Sequence, residues 1–134
     1  MRIKVNRSYQ DKKRRLKNLS GEALETVANE MAYDAPSLSK YFVDTGAFIT
    51  SWQIVDSRQR GRPRGKTSHG LPRKQNKTAK FQESREQLRQ DVRKIDFDSA
   101  PSVVLRNGAP HARYVDAKHS KVMQQLRNKY GRYS

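Results

Sequence analysis

The sequence predicts an α+β fold: a small antiparallel sheet packed with about three helices, plus a long basic loop. Three observations predict it. Leu24, Val27, Ala28 and Met31 recur at helical spacing over residues 21–34. Aromatic and β-branched residues crowd the stretch 47–55. Residues 57–80 then lose all apolar periodicity before a second helical stripe begins.

In chain order, Arg2-Ile3-Lys4-Val5 alternates as a short strand does, and Asp11 to Leu19 reads as a basic helix or arm. Ser20 offers an N-cap to the helix 21–34, with Glu22 and Glu25 near the positive end of its dipole. Pro36 biases Ala35 away from helical geometry and is expected to end that helix. Asp44-Thr45-Gly46 is a predicted structural turn, its Gly tolerating positive φ. It aims the strand 47–55, with Phe48, Trp52 and Ile54 on one face. The expected core is Leu24, Val27, Met31, Phe48, Trp52 and Ile54.

The segment 57–80 is expected to be a mobile loop, since like charges repel and breakers abound. Thr78 is placed to cap a helix 80–95 with the stripe Phe81, Leu88, Val92 and Ile95. Glu86 with Arg89 and Asp91 with Lys94 are expected to pair on its wet side. Ser102 to Arg106 reads as a strand, Asn107-Gly108 as a hairpin turn, and Ala112 to Val115 as its return. Ser120 caps a last helix through Val122, Met123, Leu126 and Tyr130. The expected organisation is a basic arm over 1–19 and a single domain over 20–134 that carries the loop 57–80.

The charge is concentrated. Residues 1–19 hold eight Lys/Arg and one acid, and residues 57–80 hold nine and none. These two segments account for the whole net charge of +16, leaving a neutral body with twelve charges of each sign. Such a field implies a polyanionic partner or an acidic protein surface. Only 34% of the residues are apolar, so partner subunits are expected to complete the core. Cysteine is absent, which removes disulfides and thiolate chemistry. No apolar run spans a bilayer and no signal region opens the chain, so a cytoplasmic origin and no membrane are expected.

Little here argues for an enzyme. His69 lies in the basic loop, and His111, Asp116 and His119 fall close together but lack the closed ligand set of a structural zinc site. No catalytic residue, cofactor, metal or small-molecule substrate is expected. Arg60-Gly61-Arg62-Pro63, followed by Arg64 and Lys66, has the form of a minor-groove Arg-Gly-Arg hook, although sequence-independent phosphate contact demands less. Arg58, Arg60, Arg62, Arg64, Lys66, Arg73, Lys74 and Lys77 are the candidate contacts to DNA or to an acidic partner. Tyr41-Phe42 and Trp52 are the aromatic groups able to stack on bases, but Trp52 shares its strand face with Phe48 and Ile54 and is assigned to the core.

Two stretches together resemble a tailed-bacteriophage family, the small neck, head–tail connector or tail-completion proteins. Ala35-Pro36 followed by Asp44-Thr45-Gly46-Ala47-Phe48-Ile49-Thr50-Ser51 is similar to that family's helix end, Asp-Thr-Gly turn and following Ser. Asn107-Gly108-Ala109-Pro110-His111-Ala112-Arg113-Tyr114-Val115-Asp116 is similar to its later Asn-rich turn and Tyr-Ala segment. Departures are the seven residues between Pro36 and Asp44, His111 for a usual Tyr, Asp116 for a usual Glu, and Lys118 where a Gly is common. The resemblance implies a non-enzymatic virion protein, assembled in the host cytoplasm. It would form a six- or twelvefold homo-oligomeric ring around the DNA channel, between portal or adaptor and tail proteins, with possible non-specific DNA contact. The competing reading, which the charge alone supports, is a small ribosome- or nucleoid-associated nucleic-acid-binding protein. A small nuclease using carboxylates and His111 comes third.

Overall fold

Three helices pack on one face of a three-stranded antiparallel sheet in the computed structural model. The structure describes residues 2–6, 21–43, 46–59, 61–65, 70–110 and 122–131. The elements are β1 (Arg2–Asn6), α1 (Gly21–Ser39), β2 (Trp52–Asp56), α2 (Lys77–Arg93), β3 (Ser102–Asn107) and α3 (Val122–Tyr130). The strand order is β1-β3-β2. Residues 2–6, which charge assigns to the N-terminal arm, are thus an edge strand of the sheet.

Register decides which side chains meet the helices. Ile3, Leu105 and Ile54 lie side by side, as do Val5 and Val103. These join Leu24, Val27, Met31, Phe48 and Trp52 in one core with Leu88, Val92 and the α3 residues Val122, Met123, Leu126 and Tyr130. All six expected core residues are buried, Trp52 completely. The α3 stripe is also the one its spacing predicts.

The end of α1 differs from expectation. The helix does not stop before Pro36 but runs through it to Ser39. Proline removes one backbone donor and its ring crowds the preceding turn. Tertiary packing overrides this, because Ala35, Pro36 and Ser39 are all buried. Ser39 Oγ donates to Ala35 O (2.7 Å) and accepts from Trp52 Nε1 (2.9 Å), so the extra turn satisfies the indole.

The stretch 47–55 also divides differently. Only Trp52–Asp56 is strand; Ile49–Ser51 is a turn of 3-10 helix. Gly46, at φ +83, starts that turn in the left-handed region. Thr50 N bonds Gly46 O (3.1 Å), while the Thr50 and Ser51 hydroxyls bond the Gly46 and Ala47 carbonyls, each at 2.5 Å. Local hydroxyl-to-carbonyl bonds thereby outweigh β-propensity. Phe48 still reaches the core, edge-on to Trp52 with centroids 5.7 Å apart.

Helix α2 begins earlier than expected, capped by Asn76, whose side chain accepts from Ala79 N, and not by Thr78. Glu86 pairs with Arg89 at 3.9 Å, as expected. Asp91 does not pair with Lys94 but turns inward. Strand β3 has β1 on one edge and β2 on the other, so a hairpin return from Asn107-Gly108 has no edge left to pair with. The residues assigned to that return, 112–115, lie outside the described residues. Among the described residues no helix is long and apolar enough to cross a membrane.

Candidate functional site

The basic loop is where sequence places the contact residues, and the structure divides them. Arg64 is turned inward. Its guanidinium donates to Trp52 O (2.6 Å) and to both Asp91 carboxylate oxygens (3.1 and 2.8 Å). Asp91 Oδ2 also accepts from Ile54 N (3.2 Å). Strand β2 is an edge strand, so its outward N–H and C=O groups need partners. Asp91 and Arg64 supply them, which makes Arg64 a covering for the sheet edge and not a cation offered to a polyanion.

The adjoining backbone is held as closely. Gly108 N donates to Arg64 O (3.1 Å), and Arg64 N donates to Gln53 Oε1 (3.1 Å). A Cβ on Gly65 would lie 2.8 Å from the Gly108 carbonyl carbon, and one on Gly108 would lie 2.8 Å from Arg64 O. Both positions therefore require glycine for the loop to approach the end of β3. Residues 61–65 are fastened to the body, against the expectation of one continuous mobile loop.

The other cations differ among themselves. Arg58 remains about half exposed but forms an ion pair with Asp56 at 2.7 Å and reaches Ser99 Oγ. That hydrogen bond holds the Asp56 carboxyl below the usual carboxylate range, against the opposing effect of burial, and raises the Arg58 guanidinium. Arg62, Arg73, Lys74 and Lys77 are exposed. Lys77 opens α2, and its Nζ lies 3.5 Å from Tyr41 O. Arg60, Lys66, Asp44 and Thr45 lie outside the described residues, as do His69, His111, Asp116 and His119. Among the described residues no cluster of His, Asp and Glu is placed to hold a metal. Trp52, fully buried, cannot stack on a base; Tyr41 is 73% exposed.

Two arrangements escape the sequence reading. One is the Arg64–Asp91 lock, for which a signal did exist. Asp91 falls on the apolar stripe Leu88, Val92 and Ile95, where an acid needs a buried partner. The other is a surface cluster where α1 meets α2. Arg85 lies over the Tyr33 ring (4.8 Å), Lys40 over Phe81 (5.4 Å), and the two rings meet edge-on at 6.1 Å.

The outer face of the sheet carries cations as well. Arg2 stands opposite Arg106, beside Gln53, and Lys4 stands opposite Val104. Arg106 Nε donates to Gln53 Oε1 (2.9 Å). Burial and the neighbouring Arg2 together lower the Arg106 guanidinium from its ordinary value.

The two stretches that carry the phage-like resemblance meet in space. Asn107 pairs with Trp52 across the sheet, and Asn107 Nδ2 donates to Phe48 O (2.9 Å). Compared with models of protein families, with curated proteins and with solved structures, the chain matches none of them.

Proposed function

We propose that this protein is a structural subunit of a tailed-phage neck, forming a six- or twelvefold ring that joins portal or adaptor to tail around the DNA channel. The observation that carries the reading is the hydrogen bond from Asn107 to Phe48 O, which ties together the two motif-like stretches, 44–51 and 107–116. Segments far apart in sequence that both resemble one family, and that make one structural unit, support a common origin better than either does alone. The cationic periphery on a neutral body suits a subunit beside DNA. Arg62, Lys77 and the exposed neighbours Arg73 and Lys74 are its contacts to DNA or to an acidic neck protein, with Arg60 and Lys66 in the same loop. Arg64 is withdrawn from that set. The role is structural, without catalytic residue or cofactor.

The test is to count the protein in purified tailed particles by quantitative mass spectrometry and to remove its gene. Six or twelve copies per particle are expected, with filled heads and separate tails accumulating in its absence. A protein absent from particles and recovered on ribosomes or the nucleoid would overturn the reading in favour of a small nucleic-acid-binding factor.

A further inference from the structure

The surface where α1 meets α2 is open to solvent and alternates rings with cations. Tyr33 is 49% exposed and Tyr41 73% exposed, and Phe81, edge-on to Tyr33, is half-buried. Arg85 lies 4.8 Å over the Tyr33 ring and Lys40 Nζ 5.4 Å over the Phe81 ring. Lys77 Nζ reaches the Tyr41 carbonyl at 3.5 Å. These contacts hold three cations beside the rings without neutralising them. Among the described residues no other ring packs on Tyr41, so its ring is offered to solvent. A cleft of about 420 Å³ continues the surface along α2, lined by Phe81, Gln82, Arg85, Glu86 and Arg89. Clefts that take small ligands span about 300–1,000 Å³.

Charge decides what such a surface attracts and in which direction. Lys40, Lys77, Arg85 and Arg89 share it with Glu86, which pairs with Arg89 at 3.9 Å. Exposed Arg73 and Lys74 stand just before α2. The exposed acids of α1 gather towards its start: Glu30 is one turn before Tyr33, and Glu25 and Glu22 are at least eight residues before it, about 12 Å along the helix. The surface therefore draws anions from Arg85 towards Tyr41 and repels them beyond Tyr33. Exposed rings narrow the class of anion. The bases of a duplex are already stacked on each other, whereas those of a single strand present their π-faces to side chains. An acidic protein would answer the cations but leave the Tyr41 ring unused.

We propose that the seam between α1 and α2 binds single-stranded nucleic acid. Phosphates lie on Lys40, Lys77, Arg85 and Arg89, one base stacks on Tyr41, and a second enters the cleft beside Phe81. Arg85 and Arg89, four residues apart, stand about 6 Å apart along the helix and follow the strand's backbone. Stacking accepts every base, so little sequence preference is expected. The site goes beyond the neck reading and does not rest on it.

The experiment measures fluorescence anisotropy of labelled oligo-dT, oligo-U and a duplex, each about 12 nucleotides long, with the full chain. The dT and U arms distinguish DNA from RNA as the source of the strand. The variants are Tyr41→Ala, Tyr41→Phe and Arg85→Gln/Arg89→Gln, each checked for folding by circular dichroism. Tyr41→Ala is expected to weaken single-strand binding at least about tenfold at fixed salt, roughly 1.4 kcal/mol, and to leave duplex binding through the loop cations unchanged. Tyr41→Phe should bind as the wild type does, because the ring and not the hydroxyl stacks. The arginine variant should flatten the slope of log affinity against log salt by about 1.4, since each phosphate neutralised on a single strand contributes about 0.7. Wild-type single-strand affinity in Tyr41→Ala, an equal loss on the duplex, or an unchanged salt slope in the arginine variant would each overturn the site. So would a wild type that binds polyglutamate through Tyr41 but no single strand, which would assign the surface to an acidic protein. Those results leave the copy number in particles untouched, and absence from particles would overturn the neck reading and leave the site standing.

Discussion

Replacing Arg64 with Gln is expected to destabilise the protein, whereas the same change at Arg62, two residues away, is not. Arg64 makes three hydrogen bonds, one to Trp52 O and two to Asp91, and its side chain is 24% exposed. Its removal leaves Asp91, 7% exposed at the side chain, with only the Ile54 N–H, and it uncovers a carbonyl on an edge strand. Breaking a buried ion pair by deleting one partner costs about 3–5 kcal/mol. Partial exposure lets water replace some of the lost bonds, which brings the expected loss to about 2–3 kcal/mol. Exposed Arg62 has no such partners among the described residues, and its replacement should stay within about 0.5 kcal/mol. Urea denaturation of Arg64→Gln, Asp91→Asn and the double variant tests both claims. The coupling energy of that cycle should be about 1–3 kcal/mol. Wild-type stability in Arg64→Gln, or additive effects in the cycle, would refute the idea that this loop arginine belongs to the sheet edge.

Other outcomes follow from the same geometry. Gly46→Val forces a branched residue to φ +83 and sets its Cβ 2.7 Å from Lys80 Cδ, for an expected loss of about 1–3 kcal/mol by thermal or urea denaturation. Trp52→Ala removes a fully buried ring and its bond to Ser39, and should cost about 3–5 kcal/mol by the same measurement. Asp56 has a carboxyl lowered by Arg58, so its contribution is present above the unfolded value of about 3.9 and disappears as pH falls through the lower folded value. Stability measured against pH should therefore fall less steeply below about pH 4 in Asp56→Asn than in the wild type, and parallel curves would refute the assignment.

What sequence reveals here depends on whether the deciding contact is local and repeated. The core faces of α1 and α3 are legible because each buried residue repeats its neighbour's spacing, so Leu24, Val27, Met31, Leu126 and Tyr130 report the same fact several times. The segment 47–55 is ambiguous by the same logic. Phe48 and Trp52 are an even number apart, as in a strand, and four apart, as in a helical turn. The decision falls to Gly46 and to the Thr50 and Ser51 hydroxyls, whose bonds to carbonyls four residues back carry no periodic signature. Pro36 misleads for a related reason. Its local cost is real, but the compensating Trp52–Ser39 bond joins residues 13 apart.

The basic loop marks the limit most sharply. Arg58, Arg62 and Arg64 are equivalent by composition, charge and spacing, and every count of loop charge treats them alike. They differ only in what the fold brings near each: Asp56 and Ser99 at Arg58, open solvent at Arg62, and at Arg64 an acid 27 residues downstream together with the unpaired edge of β2. A sheet edge is a property of topology, and no window along the chain contains it. The legible half of that pair is Asp91, because an acid within an apolar helical stripe must find a donor. Its partner's identity requires the strand order. The same reasoning bears on any variant that neutralises the loop wholesale. Changing Arg58, Arg60, Arg62 and Arg64 together would mix a loss of polyanion contact with a loss of fold. A set that spares Arg64 tests the contact alone.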